Sequence, residues 1–128
     1  MLNGRRVLIV EDFVLVAEML SEQLEQFGCD VVGPVGQLQP ALDLASAEQL
    51  DGALLDIDLD GESSFPVADV LRRRGVPMIF LSGHGEDALP PHLSNELQLT
   101  KPVRAATLQA ALNTLSPGRH KQGNVPIT

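Results

Sequence analysis

Short apolar runs recur along the chain, and each ends on a charged or turn-forming residue. Val7-Leu8-Ile9-Val10 runs into Glu11-Asp12, Ala53-Leu54-Leu55 into Asp56, Met78-Ile79-Phe80-Leu81 into Ser82-Gly83, and Leu97-Gln98-Leu99-Thr100 into Lys101-Pro102. Runs of this kind, bounded by turn residues, predict buried strands over residues 5–10, 52–56, 76–81 and 97–100. Residues 30–35 predict one more strand. Its internal Pro34 assigns it to a sheet edge, where the missing N–H breaks no ladder.

Between these runs the period changes from two to about three and a half. Val16, Met19, Leu20, Gln23, Leu24 and Phe27 recur at spacings of three and four, which predicts a helix over 13–27 with that stripe inward and Gly28 as its stop. Leucines and alanines mark a helix over 38–47, with Pro40 tolerated in its first turn. Pro66 opens another over 66–74, with Val67, Val70 and Leu71 inward and Gly75 ending it. A last helix is expected over 104–115. Residues 86–96 break the rhythm: Pro90-Pro91 removes two N–H donors, so the fourth helix should be weak or replaced by a loop or a single turn. Alternating strands and helices imply a parallel sheet covered on both faces, with right-handed crossovers. Residues 1–115 form the domain on this reading, and 116–128, rich in Pro, Gly and polar residues, a mobile tail.

Composition narrows the function. At 128 residues, 44% hydrophobic and 20% charged, the chain can bury one core. A net charge of −8 opposes nucleic-acid binding, which draws its affinity from clustered Lys and Arg. The one dense basic run, Arg72-Arg73-Arg74, is expected to be the solvated, dipole-favoured end of a helix. Cys29 is a lone cysteine, so no internal disulfide can form and a reducing cytoplasm is the expected location. No apolar stretch reaches the roughly 18 residues of a membrane span, and no signal-peptide segment opens the chain.

The candidate chemistry sits where the strands stop. Open α/β sheets place their sites at the carboxyl ends of strands, and here those ends carry Glu11-Asp12, Asp56 and Lys101. Carboxylates with one lysine point to a divalent cation and a phosphoryl group. Taken singly the fragments have plainer readings. Glu11-Asp12 could cap the first helix, Lys101 could be a surface lysine, and Ser82 a turn serine. Asp56-x-Asp58-x-Asp60-Gly61 opens like an EF-hand loop, but Val67 stands where the twelfth-position Glu should be, and a strand pattern precedes it.

Taken together, Glu11-Asp12, Asp56, Ser82 and Lys101-Pro102, in that order and each at a strand end, resemble the receiver domain of two-component response regulators over about residues 5–115. The resemblance implies a flavodoxin-like, doubly wound five-stranded parallel sheet in the order 2-1-3-4-5, with three helices on one side and two on the other. It implies that Asp56 accepts a phosphoryl group from the phosphohistidine of a sensor histidine kinase. It implies one Mg²⁺, with Mn²⁺ as its substitute, held by Glu11, Asp12, Asp56 and the backbone carbonyl of Asp58. Lys101 and Ser82 would hold the phosphoryl oxygens, with Gly83 allowing the loop to approach. Phe80-Leu81-Ser82-Gly83-His84 further resembles the atypical stand-alone receivers named for a Phe-Ala-Thr-Gly-aromatic motif, with Leu81, Ser82 and His84 as departures.

Positions that modulate receivers fall on Asp58, His84 and Gln98. The last stands where most receivers carry the Tyr or Phe that swings inward, so an ordering of residues 83–96 by Ser82 is expected instead. His84 could position or block water; His92 and His120 show no role. Nothing after Leu115 looks able to form an output module, so signalling is expected through a downstream regulator, a phosphotransfer protein or a phosphate sink. The enzymatic rival is a small haloacid-dehalogenase-type phosphatase, with Asp56 as nucleophile and Asp58 as general acid. Its nucleophile strand normally comes first and its metal acids follow the lysine, opposite to the order here.

Overall fold

The computed structural model describes residues 3–83 and 89–115. Its elements are β1 (Arg6–Val10), α1 (Val14–Gln26), β2 (Asp30–Val35), α2 (Leu38–Ala47), β3 (Gly52–Asp56), β4 (Asp58–Leu59), β5 (Glu62–Ser63), α3 (Phe65–Arg73), β6 (Met78–Ser82), a 3-10 turn (Pro91–Leu93), β7 (Leu97–Thr100) and α4 (Ala105–Thr114). Five of the strands form one sheet in the order β2-β1-β3-β6-β7, every pair parallel. In strand sequence this is the expected 2-1-3-4-5 arrangement. The Pro34-containing strand lies at the edge, and its register with β1 shifts between Leu8 and Val10.

Alternate residues of the central strands feed two cores. Leu8, Val10, Leu55 and Phe80 pack on one face with Ala41, Ala45, Val67 and Leu71 from α2 and α3. Val7, Ile9, Leu54, Ile79 and Leu81 pack on the other with Leu20, Leu24, Leu108 and Leu112 from α1 and α4. β3 and β6 are buried at every position, which is why they read as unbroken apolar runs. Each fully buried Leu or Ile contributes roughly 1.5–3 kcal/mol. Among the described residues each face carries two α-helices, and the 3-10 turn adds Leu93 to the α2/α3 side. Among the described residues the third helix expected on that side does not appear; residues 89–96 hold the single turn expected as its replacement, with Pro90 and Pro91 at its start.

The helix stops follow one geometry. Gly28 adopts φ +92°, its N–H reaches the Glu25 carbonyl and the Cys29 N–H reaches Leu24. Gly75 adopts φ +74°, its N–H reaches Arg72 and the Val76 N–H reaches Leu71. Both are Schellman ends, in which only glycine meets the left-handed position without strain.

Three expectations need correction. On α1 Leu20, Leu24 and Phe27 are buried and Val16 packs on the same core as expected, with Ala17 joining them, but Met19 lies on the exposed side. On α3 Val67 and Leu71 are buried and Val70 packs against the core as expected, with Ala68 buried beside them. Arg74 is not simply solvated: its guanidinium donates to the carbonyls of Ala45 and Glu48 and closes the end of α2. The acidic stretch after Asp56 is a hairpin and not a plain loop, with Asp58 facing Ser63 and Leu59 facing Glu62.

Candidate functional site

The carboxyl ends of β1, β3 and β7 bring the charged residues together. Glu11, Asp12 and Asp56 each offer a carboxylate oxygen, and these oxygens lie within 4.8 Å of one another. Glu11 and Asp56 are buried, whereas Asp12 is exposed. Lys101, projecting after β7, places Nζ 3.0 Å from Glu11 Oε1 and 3.4 Å from Asp56 Oδ2. Glu11 also accepts the Phe13 N–H through Oε2 at 3.0 Å. The expected capping of α1 by Glu11-Asp12 does not hold: the N-cap is Phe13 and no side chain caps the helix, so Glu11 fixes the turn into α1 with one oxygen and faces Lys101 with the other.

The backbone around Asp56 is fixed by its neighbours. Asp56 pairs with Leu81 in the ladder, and the Ile57 N–H continues to the Leu81 carbonyl at 3.2 Å. The Asp58 N–H turns back to Asp56 Oδ1 at 3.4 Å. The Asp58 carboxylate instead accepts the Gly61 N–H at 3.2 Å across the hairpin turn, where Asp60 has φ +52° and Gly61 φ +91°. The Asp58 side chain thus belongs to the turn, and among the described residues the acid cluster comprises only Glu11, Asp12 and Asp56.

Electrostatics follow from the crowding. Burial, and then the Glu11 charge, push the Asp56 carboxyl up to about 7, with Lys101 pulling the other way. Burial pulls Lys101 down, but its hydrogen bond to Glu11 and the Asp56 charge outweigh this and raise it, so the ammonium stays charged. One cation facing three acids leaves net negative charge among oxygen donors. A hard divalent ion suits such a donor set. Glu11, Asp12 and Asp56 therefore fit Mg²⁺.

Ser82 ends β6 fully buried, pairs with Thr100, and accepts the Lys101 N–H at its carbonyl at 2.7 Å. This bond ties the end of the strand beside Asp56 to the residue that carries the ammonium. Gly83 follows, exposed, with open space where a Cβ would stand. His84 lies outside the described residues. Gln98 sits on β7 opposite Phe80, and its side-chain nitrogen is buried without a hydrogen-bond partner among the described residues.

Gly36 was not singled out in the sequence. A Cβ there would lie 2.9 Å from Asp12 Cα and 3.2 Å from the Glu11 carbonyl oxygen, so the β2–α2 turn presses directly on the acid pair. A glycine just after a predicted strand was the available signal. The Asp60-Gly61 pair was the corresponding signal for the hairpin.

A profile of the response regulator receiver domain matches residues 7–113. The transcriptional regulatory protein PdtaR of Mycobacterium tuberculosis is 30% identical over 83 residues, 64% of this chain and 40% of its own length. The chain spans between 34% and 46% of the length of the curated relatives it matches. The solution structure of SdrG from Sphingomonas melonis Fr1 is similar with a TM-score of 0.78 and 34% identity, covering 88% of this chain and 96% of that one. SdrG in its BeF3-activated conformation gives a TM-score of 0.74 at 33% identity, covering 90% and 98%. The receiver domain of sensor histidine kinase PA1611 from Pseudomonas aeruginosa PAO1, with a magnesium ion coordinated in its active-site cleft, gives 0.73 at 25% identity, covering 88% and 97%.

Proposed function

Because the chain belongs to the response regulator receiver domain family, we propose that Asp56 is its phosphoacceptor, taking the phosphoryl group of a sensor histidine kinase in a Mg²⁺-dependent reaction. The observation that carries this reading is the convergence of Glu11, Asp12, Asp56 and Lys101 from separate strand ends. Receiver domains act in general as phosphoacceptors in two-component signalling, with histidine kinases and downstream partners.

Each residue then has one task. The ionised Asp56 carboxylate attacks phosphorus as the phosphorus–nitrogen bond to the kinase imidazole breaks, and the electron pair leaves with that ring. Glu11, Asp12, Asp56 and the Asp58 carbonyl would hold Mg²⁺, or Mn²⁺ in its place, which would neutralise carboxylate and phosphoryl oxygens when bound. Lys101 is already within reach of Asp56 Oδ2 and turns its ammonium to the new phosphoryl oxygens. Ser82 gives its hydroxyl hydrogen to the same group, and Gly83 lets the following segment close. The expected ordering of residues 83–96, of which 84–88 lie outside the described residues, would stand in for the aromatic swing that Gln98 cannot perform.

The chain is a regulator and not a turnover enzyme, and its output runs through contact with a downstream regulator, a phosphotransfer protein or phosphate drainage. Within the family, Phe80-Leu81-Ser82-Gly83 is the stretch that resembles the Phe-Ala-Thr-Gly-aromatic motif. The deciding experiment exposes the protein to acetyl phosphate with Mg²⁺ and reads the intact mass. One phosphoryl group should appear on the wild type and map to Asp56, and Asp56→Asn should gain none. Equal labelling of that variant would overturn the proposal.

A further inference from the structure

A groove of about 1430 Å³ runs between α1, the β2–α2 turn with the start of α2, and the β4–β5 hairpin. Its charged lining has one sign. Glu18 and Glu22 come from α1, Asp60 and Glu62 from the hairpin, and Glu11 and Asp12 from the acid cluster, with no Lys, Arg or His among the lining residues. Four of these acids have no part in the phosphoacceptor chemistry.

Two features besides charge mark this groove. Val14 lines it and is 66% exposed, beside Phe13 and Leu15, which are 58% and 67% exposed, so the first turn of α1 presents apolar surface to water. Ser21 also lines it, and its hydroxyl is shielded from water without a hydrogen-bond partner. Of these three only Val14 lines the groove, where with Leu38 it sets apolar surface between the acidic walls. An unsatisfied buried hydroxyl likewise favours any ligand that supplies an acceptor or donor.

We infer that this groove docks a Lys- and Arg-rich amphipathic segment of a partner protein, its cations against Glu18, Glu22, Asp60 and Glu62 and its apolar side chains against Val14 and Leu38. Polyanions are excluded by sign, because nucleic acid or an anionic lipid surface would meet only carboxylates here. A bare metal ion would satisfy the acids and leave Val14 uncovered. A cationic segment with an apolar centre answers both, and charge complementarity of this kind sets association rate and partner choice. The inference holds whether or not Asp56 carries phosphate.

The test uses the full chain, ¹⁵N-labelled, with a synthetic peptide of Leu and Lys at helical spacing, about 14 residues or roughly 20 Å long. A copy with Glu in place of Lys serves as the comparison. The Lys peptide should shift amides of α1, the β2–α2 turn and the hairpin, and the Glu peptide should shift none. Glu18→Lys with Glu22→Lys should weaken binding ~10-fold, and Val14→Ser several-fold. Glu25→Lys with Asp30→Lys changes net charge equally at exposed positions outside the groove and should alter affinity less than about twofold. The amide spectrum of each variant reports its fold. Equal weakening by the two charge pairs, shifts centred elsewhere, or no binding near ~1 mM would each overturn the inference.

Discussion

Gly36 packs against the acid pair without offering it a functional group. Because its missing Cβ would press on Asp12 Cα and the Glu11 carbonyl, Gly36→Ala should displace the acid pair without touching a ligand atom. The expected result is Mg²⁺ affinity lowered several-fold, or ~1 kcal/mol, with the fold kept. Calorimetric titration suits the measurement, since the chain has no Trp or Tyr to report by fluorescence. Unchanged affinity in a folded variant would show that the turn yields instead. Gln98 presents the opposite case, a polar atom where packing asks for none. Its buried nitrogen lacks an acceptor among the described residues, a defect that costs ~1–3 kcal/mol. Gln98→Met, similar in volume and without a donor, should raise the urea midpoint by an amount equivalent to about 1 kcal/mol. A lower midpoint would mean that the amide finds a partner in solution.

Strands and helix stops were legible in the sequence because their signals are local. β2, α2, β3 and β7 fall on the expected bounds, since apolar runs and flanking Gly or Pro leave no competing reading. The acid cluster was legible for a related reason: the strand ends that carry it are fixed by the runs that precede them. What was not legible depends on partners distant in sequence. Which side of α1 meets β1 and α4 decides that Met19 stays outside, since its hydrophobicity is the same whether inside or out. Arg74 looked like its neighbours Arg72 and Arg73, yet it alone reaches across to the carbonyls of Ala45 and Glu48. Those carbonyls end α2 without a glycine stop, so the guanidinium serves as the cap. Arg74→Ala should therefore destabilise the protein by about 1–2 kcal/mol, whereas Arg73→Ala should stay within ~0.5 kcal/mol. Urea unfolding of the pair checks this, and equal losses would refute the capping role.

At the scale of the whole molecule, the same crowding that makes a cation site makes the metal-free protein sensitive to pH. The Asp56 carboxyl is held up to about 7 in the folded chain by burial and the Glu11 charge, against about 3.9 when unfolded. Between those values the folded state binds the proton more tightly, so stability falls as pH rises from about 4 to 7 and then levels off. Both states are protonated below that window, and the penalty is complete above it. The loss is on the order of 1–3 kcal/mol. In chelator, wild-type protein should therefore melt lower at pH 8 than at pH 5. Asp56→Asn, which carries no charge to bury, should lack that component and exceed the wild type at pH 8. Mg²⁺ binds the ionised cluster and raises stability by mass action, so its benefit should grow across the same window and be small at pH 5. Parallel pH profiles for wild type and Asp56→Asn would show that the strain of converging acids lies elsewhere. Divergence that Mg²⁺ erases would establish that the folded chain holds Asp56 ready for a cation at a cost to its own stability.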